Sequence, residues 1–290
     1  MIKKILWASD GSEDSLDALE YVEDIAQKCN AETVGLYVIP DYFEVNIKDQ
    51  FPEQEYDLIA KWIKETESKE SDRLNDIAKQ FESKGLSFKT KITQGVPHLQ
   101  IIQAAEETNS DLIVLGKGRA KEKILLGATA LKVIRRSPIP VMVARKKDGP
   151  IKIKNILVPT DLFNIASRDL LFTAGLAGYL DLNITSLNIV EIGNKKYPPE
   201  VVERLRGNSY NNLTKKVNEA DLGIKINTVV NTGKNACKGI IKYASEHDID
   251  IIFMNTYGGG EFRREEFIGS VAERVIQEAP CPVITVKPEE

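Results

Sequence analysis

The chain predicts an α/β protein of two tandem domains, each a five-stranded parallel sheet between helices, on three observations. It has 290 residues, close to two domains at about 150 residues apiece. Its second half repeats its first. Within each half, short apolar runs alternate with longer stretches of helical period, the pattern of strands and crossover helices.

The repeat is the most informative of the three. Lys4-Ile5-Leu6-Trp7-Ala8-Ser9-Asp10 returns as Asn155-Ile156-Leu157-Val158-Pro159-Thr160-Asp161. Asp111-Leu112-Ile113-Val114-Leu115-Gly116 returns as Asp250-Ile251-Ile252-Phe253-Met254-Asn255, and Ser137-Pro138-Ile139-Pro140-Val141-Met142-Val143 as Ala279-Pro280-Cys281-Pro282-Val283-Ile284-Thr285. The separation is 151 residues at Lys4/Asn155, 139 at Asp111/Asp250 and 142 at Pro140/Pro282. The halves therefore differ in loop length, mainly after the second strand. Lys146-Lys147-Asp148-Gly149-Pro150 reads as the linker, which sets the domains at 1–147 and 151–290.

The elements follow in order. Strands are expected near 3–9, 33–39, 87–93, 111–116 and 140–145, and again near 154–160, 183–190, 224–230, 250–255 and 282–287. Leu16, Leu19, Tyr21, Val22, Ile25 and Ala26 recur at helical spacing over 13–29, behind a cap at Ser12 or Gly11. A long polar-faced helix is expected over 57–84, stopped by Gly85, and Pro97 suits the first turn of the next helix. Nearly continuous apolar strands mean a sheet covered on both faces, and right-handed crossovers put the ligand-binding loops at the carboxyl ends of the strands.

Composition excludes several classes. Hydrophobic residues at 42%, charged residues at 28% and a net charge of −4 rule out disordered and fibrous chains. Lys and Arg number 22 against 25 Asp and Glu in residues 1–150, and 17 against 18 in the rest, so neither half has the basic excess of a nucleic-acid binder. Cys29, Cys237 and Cys281 form no CxxC, which fits reduced thiols in a cytoplasm. His98 and His247 are too few for a multi-histidine metal site, and no apolar run is long enough to span a membrane.

The candidate site lies at the strand ends. Strand one of each half runs into an aspartate, Asp10 or Asp161, able to accept hydrogen bonds from ribose hydroxyls or an adenine amine. The competing reading of each aspartate is a local cap or turn; at Asp10 Gly11-Ser12 offer competing caps, and at Asp161 the ligand reading is favoured. The fourth strand ends in Gly116-Lys117-Gly118-Arg119 or in Asn255-Thr256-Tyr257-Gly258-Gly259-Gly260, followed by Gly127-Ala128-Thr129 or Gly269-Ser270-Val271 at a helix start. Glycines, a helix N-terminus and a hydroxyl make a phosphate cradle, and neither loop is a Walker A or a GxGxxG sequence.

With these residues the chain resembles a tandem universal stress protein of the UspA type. The resemblance is carried by Lys4 to Ser12 with Ala18-Leu19, by Asp111 to Gly116, and by Gly269-Ser270-Val271-Ala272-Glu273-Arg274-Val275 with Ala279-Pro280-Cys281-Pro282-Val283. It implies flavodoxin-like, adenine-nucleotide-binding domains and a G-x-x-G-x9-G-[S/T] motif in the members that bind ATP. In the second half Gly259 and Gly269-Ser270 match that motif, but its first glycine falls on Thr256, with Asn255 at the strand end. In the first half Gly116 and Gly127 are in place, but Arg119 stands for the second glycine, the spacer is two residues short, and Ala128 replaces the hydroxyl, with Thr129 as substitute.

The resemblance places adenine near Pro159, Thr160, Asp161 and Val190, and in the first half near Ala8, Ser9, Asp10 and Val38. Lys117, Lys121, Arg263 and Arg264 flank the phosphate loops. It also implies that Val141–Ala144 and Val283–Val286 pair across a pseudo-two-fold, with a homodimer as a further assembly. The function expected is a cytoplasmic stress-response sensor binding ATP or AMP, with or without Mg2+, chiefly in domain 2, with at most slow hydrolysis and neither nucleic acid nor membrane as partner. The competing reading is a nucleotide-free tandem scaffold. An ATP pyrophosphatase is the remote third, because Ser9-Asp10-Gly11-Ser12-Glu13-Asp14-Ser15 matches an SGGxDS loop only loosely.

Overall fold

The computed structural model describes residues 2–41, 53–118, 126–162, 173, 175, 182–256 and 268–287. The first domain runs β1 (Lys4–Ser9), α1 (Glu13–Cys29), β2 (Glu32–Pro40), α2 (Glu53–Ser83), β3 (Phe88–Gly95), α3 (Pro97–Glu107), β4 (Leu112–Gly116), α4 (Ala128–Arg136) and β5 (Val141–Ala144). The second runs β6 (Asn155–Pro159), β7 (Asn183–Glu191), α5 (Pro199–Glu219), β8 (Ile226–Gly233), α6 (Ala236–Glu246), β9 (Ile251–Asn255), α7 (Ser270–Glu278) and β10 (Val283–Val286). All ten expected strands form, with no end moved by more than three residues. Helix α2 begins at Glu53 rather than 57 and ends at Ser83. Ser12 caps α1, its side chain accepting from the Ser15 amide.

The strands form one sheet in the order β3-β2-β1-β4-β5-β10-β9-β6-β7-β8, palindromic about its centre. Pairing within each domain is parallel. At the centre β5 and β10 pair antiparallel, with Val141 opposite Thr285, Met142 opposite Ile284 and Val143 opposite Val283. The expected seam is therefore present, and the chain is an intramolecular pseudo-dimer. Its two-fold stands perpendicular to the sheet, so the carboxyl edges of the two domains face opposite ways.

Burial follows from this layering. One core cluster joins α3 and α4 to α6 and α7 on one face, and the other joins α1 and α2 to α5 on the opposite face. Each cluster contains residues of both domains, so the hydrophobic core continues through the seam. Strands covered on both faces need apolar side chains in both directions, as in Ile5, Leu6 and Trp7 or Ile251, Ile252 and Phe253, all fully buried.

The repeated aspartate ahead of the fourth strand is a clasp. Asp111 Oδ2 accepts from the Lys3 and Lys4 amides at 2.7 and 2.9 Å, and Asp250 Oδ2 accepts from Lys154 and Asn155 at 2.9 Å each. Asp250 alone adds an ion pair, to Lys147 of the interdomain connection at 2.7 Å. Burial pushes the Asp250 carboxyl up, but Lys147 and the two amides outweigh it and hold the group below its ordinary value.

Among the described residues no helix is long and apolar enough to cross a membrane, and no group of three His, Cys, Asp or Glu is arranged to hold a metal ion. All three cysteines are free thiols.

Candidate functional site

A cleft of about 430 Å3 opens at the carboxyl edge of the second domain. Seven of the residues singled out in the sequence meet there: Pro159, Thr160 and Asp161 after β6, Asn255 at the end of β9, and Gly269, Ser270 and Val271 at the start of α7. The volume falls in the range of small-molecule sites.

The wall after β6 is built by backbone bonds. The Thr160 amide donates to the Leu187 carbonyl at 2.9 Å, and the buried Asn188 amide group holds the Thr160 carbonyl at 2.9 Å. Thr160 Oγ1 accepts from the Leu162 amide at 3.1 Å, which turns the chain so that Leu162 takes φ +68°. Lys216 of α5 donates its ammonium to the Leu162 carbonyl. A left-handed leucine is strained, and here packing and hydrogen bonds on both sides hold it.

The floor is apolar, formed by Leu187 and Ile189 of β7, Ala236 and Ile240 of α6, and Met254 of β9. None of these was read from the sequence as a site residue. The available signal was the alternation on β7 and the four-residue spacing on α6. Val190 packs instead in the core cluster on the opposite face of the sheet, and its neighbour Ile189 faces the cleft. Strand periodicity gives the reason: Pro159 pairs with Leu187, so the next side chain on that face is Ile189.

Two helix N-termini reach the cleft, and they differ. At α6 the Asn235 side chain caps the Lys238 amide at 2.9 Å, and Glu191 Oε1 takes the Ala236 amide at 2.5 Å. At α7 Gly269 is the cap residue and supplies no side chain, while its own amide donates to the Thr256 carbonyl at 2.7 Å. The first-turn amides of α7 are thus left for a ligand, and the helix dipole favours an anion there. Beside them Asn255 Oδ1 is buried with no hydrogen-bond partner. An orphaned buried acceptor costs roughly 1–3 kcal/mol, which a donor such as a sugar hydroxyl would recover. Gly258, Gly259, Arg263 and Arg264 lie outside the described residues.

The equivalent positions of domain 1 differ at the strand ends, whereas Gly127 opens α4 as Gly269 opens α7, without a side-chain cap. Asp10 is exposed, and its carboxylate accepts from the Ser12 amide at 3.0 Å and hydroxyl at 2.5 Å, a local turn. Ser9 is buried, its hydroxyl taken by Arg73 at 2.7 Å and by Ser15 at 3.1 Å, on the face away from Ala8 and Val38. Gly118 packs on Gly127, whose amide donates to the Lys117 carbonyl at 3.0 Å, and Thr129 is exposed. A Cβ on Gly116 would stand 2.6 Å from the Asp14 backbone, so α1 closes over that strand end. Arg119 and Lys121 lie outside the described residues.

A model of the universal stress protein family matches residues 1–145 and again 152–287. The crystal structure of a universal stress protein from Archaeoglobus fulgidus superposes with a TM-score of 0.72 over 98% of both chains, at 26% identity. Universal stress protein MJ0531 of Methanocaldococcus jannaschii is 35% identical over 148 residues, 50% of this chain and 84% of its own length. Universal stress protein MJ0577 of the same organism is 33% identical over 165 residues, 51% of this chain and 98% of its own.

Proposed function

The chain belongs to the universal stress protein family, and from that premise we propose that the domain 2 cleft binds an adenine nucleotide, ATP or AMP, as the sensing element of a cytoplasmic stress-response protein. The observation that carries this reading is the uncapped start of α7 beside an apolar floor and the unpartnered Asn255 Oδ1. The purine stacks on Leu187, Ile189 and Ile240, Asn255 and Asp161 receive the ribose hydroxyls, and the amides of Ser270 and Val271 with the Ser270 hydroxyl receive phosphate. Were Mg2+ to accompany ATP, it would neutralise phosphate charge, and Asp161 and Glu191 would be the carboxylates near it in the described part of the cleft.

This reading takes nucleotide occupancy rather than turnover as the output. Domain 1, with Asp10 and Ser9 committed to protein partners, serves as the structural half of the pseudo-dimer. Small molecules released by denaturing freshly purified protein, separated by chromatography with mass detection, test the reading. ATP, ADP or AMP near one per chain is the expected result. An empty chromatogram, with no thermal shift at millimolar ATP and Mg2+, would replace it by the nucleotide-free scaffold.

A further inference from the structure

A second cavity, of about 330 Å3, lies where the two domains meet. Domain 1 lines it with Asp14 at the start of α1, Lys117 after β4, and Ala144, Arg145 and Lys146 at the end of β5. Domain 2 contributes Ala279 and Pro280, the turn between α7 and β10. Among the described residues Lys117, Arg145 and Lys146 thus meet at one hollow together with Asp14.

Packing like charges together in a partly buried space is costly unless something opposite joins them. Arg145 donates through one Nη to the Ile276 carbonyl in the last turn of α7, while its Nε is buried with no hydrogen-bond partner. A guanidinium carries five N–H donors in a planar fork suited to oxyanions, so one carbonyl leaves most of that capacity unspent. Burial and the nearby Arg145 hold the Lys117 ammonium below its ordinary value, against the pull of Asp14. A bound dianion would reverse that pressure.

Among the described residues the arrangement is found on one side of the seam. The pseudo-two-fold puts Thr256 where Lys117 stands and Ser137 where Ala279 stands, so the chain does not repeat this cluster on the other side of the seam. The hollow is also separate from the nucleotide cleft, with which it shares no lining residue. Helix α7 spans both, its first residue lining the cleft and its last turn bonded by Arg145.

We propose that this junction cavity is a binding site for a phosphate-class oxyanion, held by Lys117, Arg145 and Lys146. The proposal does not depend on the nucleotide reading, and its test is arranged to keep the two apart. Inorganic phosphate is titrated by calorimetry into the Gly269→Asp chain, in which the cleft is blocked, against chloride at matched ionic strength. Saturable binding is expected, weakened at least about fivefold by Lys117→Gln and by Lys146→Gln. Lys146 is exposed, so its replacement leaves the fold intact as judged by thermal unfolding. Displacement of phosphate by AMP would identify a phosphomonoester as the occupant, and no displacement would identify the free anion; both fit the site. Absence of saturable binding, or equal binding by the Lys117→Gln/Lys146→Gln double variant, would overturn the proposal.

Discussion

The two domains share one backbone plan and part company at three matching points. After the first strand, domain 1 has Gly11 at φ +80° and domain 2 has Leu162 at φ +68°. At the end of the fourth strand, Gly116 lies tight under α1, where domain 2 has Asn255 with an unsatisfied carbonyl. At the following helix start, Ala128 stands opposite Ser270. In each pair the domain 1 residue relaxes the structure and the domain 2 residue leaves a cost or a donor unspent. A strained leucine and an orphaned amide lie beside the same cleft, and such costs persist only where the surrounding structure enforces them.

The contrast can be broken most sharply at the helix starts. Gly269→Asp places a side chain that caps its own helix amides, so nucleotide affinity in a direct titration should fall about 100-fold or more, with thermal unfolding unchanged. Gly127→Asp, the matching change in domain 1, should leave affinity as it was. Equal losses from both would mean that the domains bind alike. At the strand ends, Gly116→Asn copies the domain 2 residue into domain 1. With a Cβ 2.6 Å from the Asp14 backbone it should cost about 2–3 kcal/mol in denaturant unfolding.

Asn255→Ala sharpens the comparison from the other side. It should weaken nucleotide binding about tenfold and leave stability equal or higher, since it removes an acceptor that has no partner in the folded chain. The smallest effect is expected at the clasp. Lys147→Ala should cost less than about 1 kcal/mol at neutral pH, because the pair is partly solvated. The folded-state Asp250 carboxyl sits below its ordinary value, so its contribution is complete above that value and drains away as pH falls through the lowered one. The unfolding curves of parent and Lys147→Ala chains should therefore converge in acid.

The repeat and the strand and helix periods were readable because each is a pattern along the sequence, whereas the seam was expected only from the family resemblance. Continuous apolar runs such as Leu112 to Leu115 admit few alternatives to a strand covered on both faces. The site was readable only where it lies in sequence beside a strand end or a helix start, as at Asp161, Asn255 and Gly269. Ile189 and Ile240 were hidden because they come from elements whose relative placement is set by tertiary packing. Val190 shows how little is needed to miss: a shift of one residue along a strand turns the side chain to the other face. For Asp10 the choice between ligand and cap rested on hydrogen-bond geometry with Ser12, which spacing does not contain.

The antiparallel seam between β5 and β10 joins only three residue pairs. The hydrophobic core continues beside it, and between separate chains such an association would depend on concentration, because each half would have to find its partner. Here the connection from Arg145 to Lys154 holds the partner at an effective concentration on the order of millimolar, independent of how much protein the cell makes. Assembly then imposes no requirement that the halves stay alike, so one can give up its ligand and still be present, in fixed stoichiometry, wherever the other is.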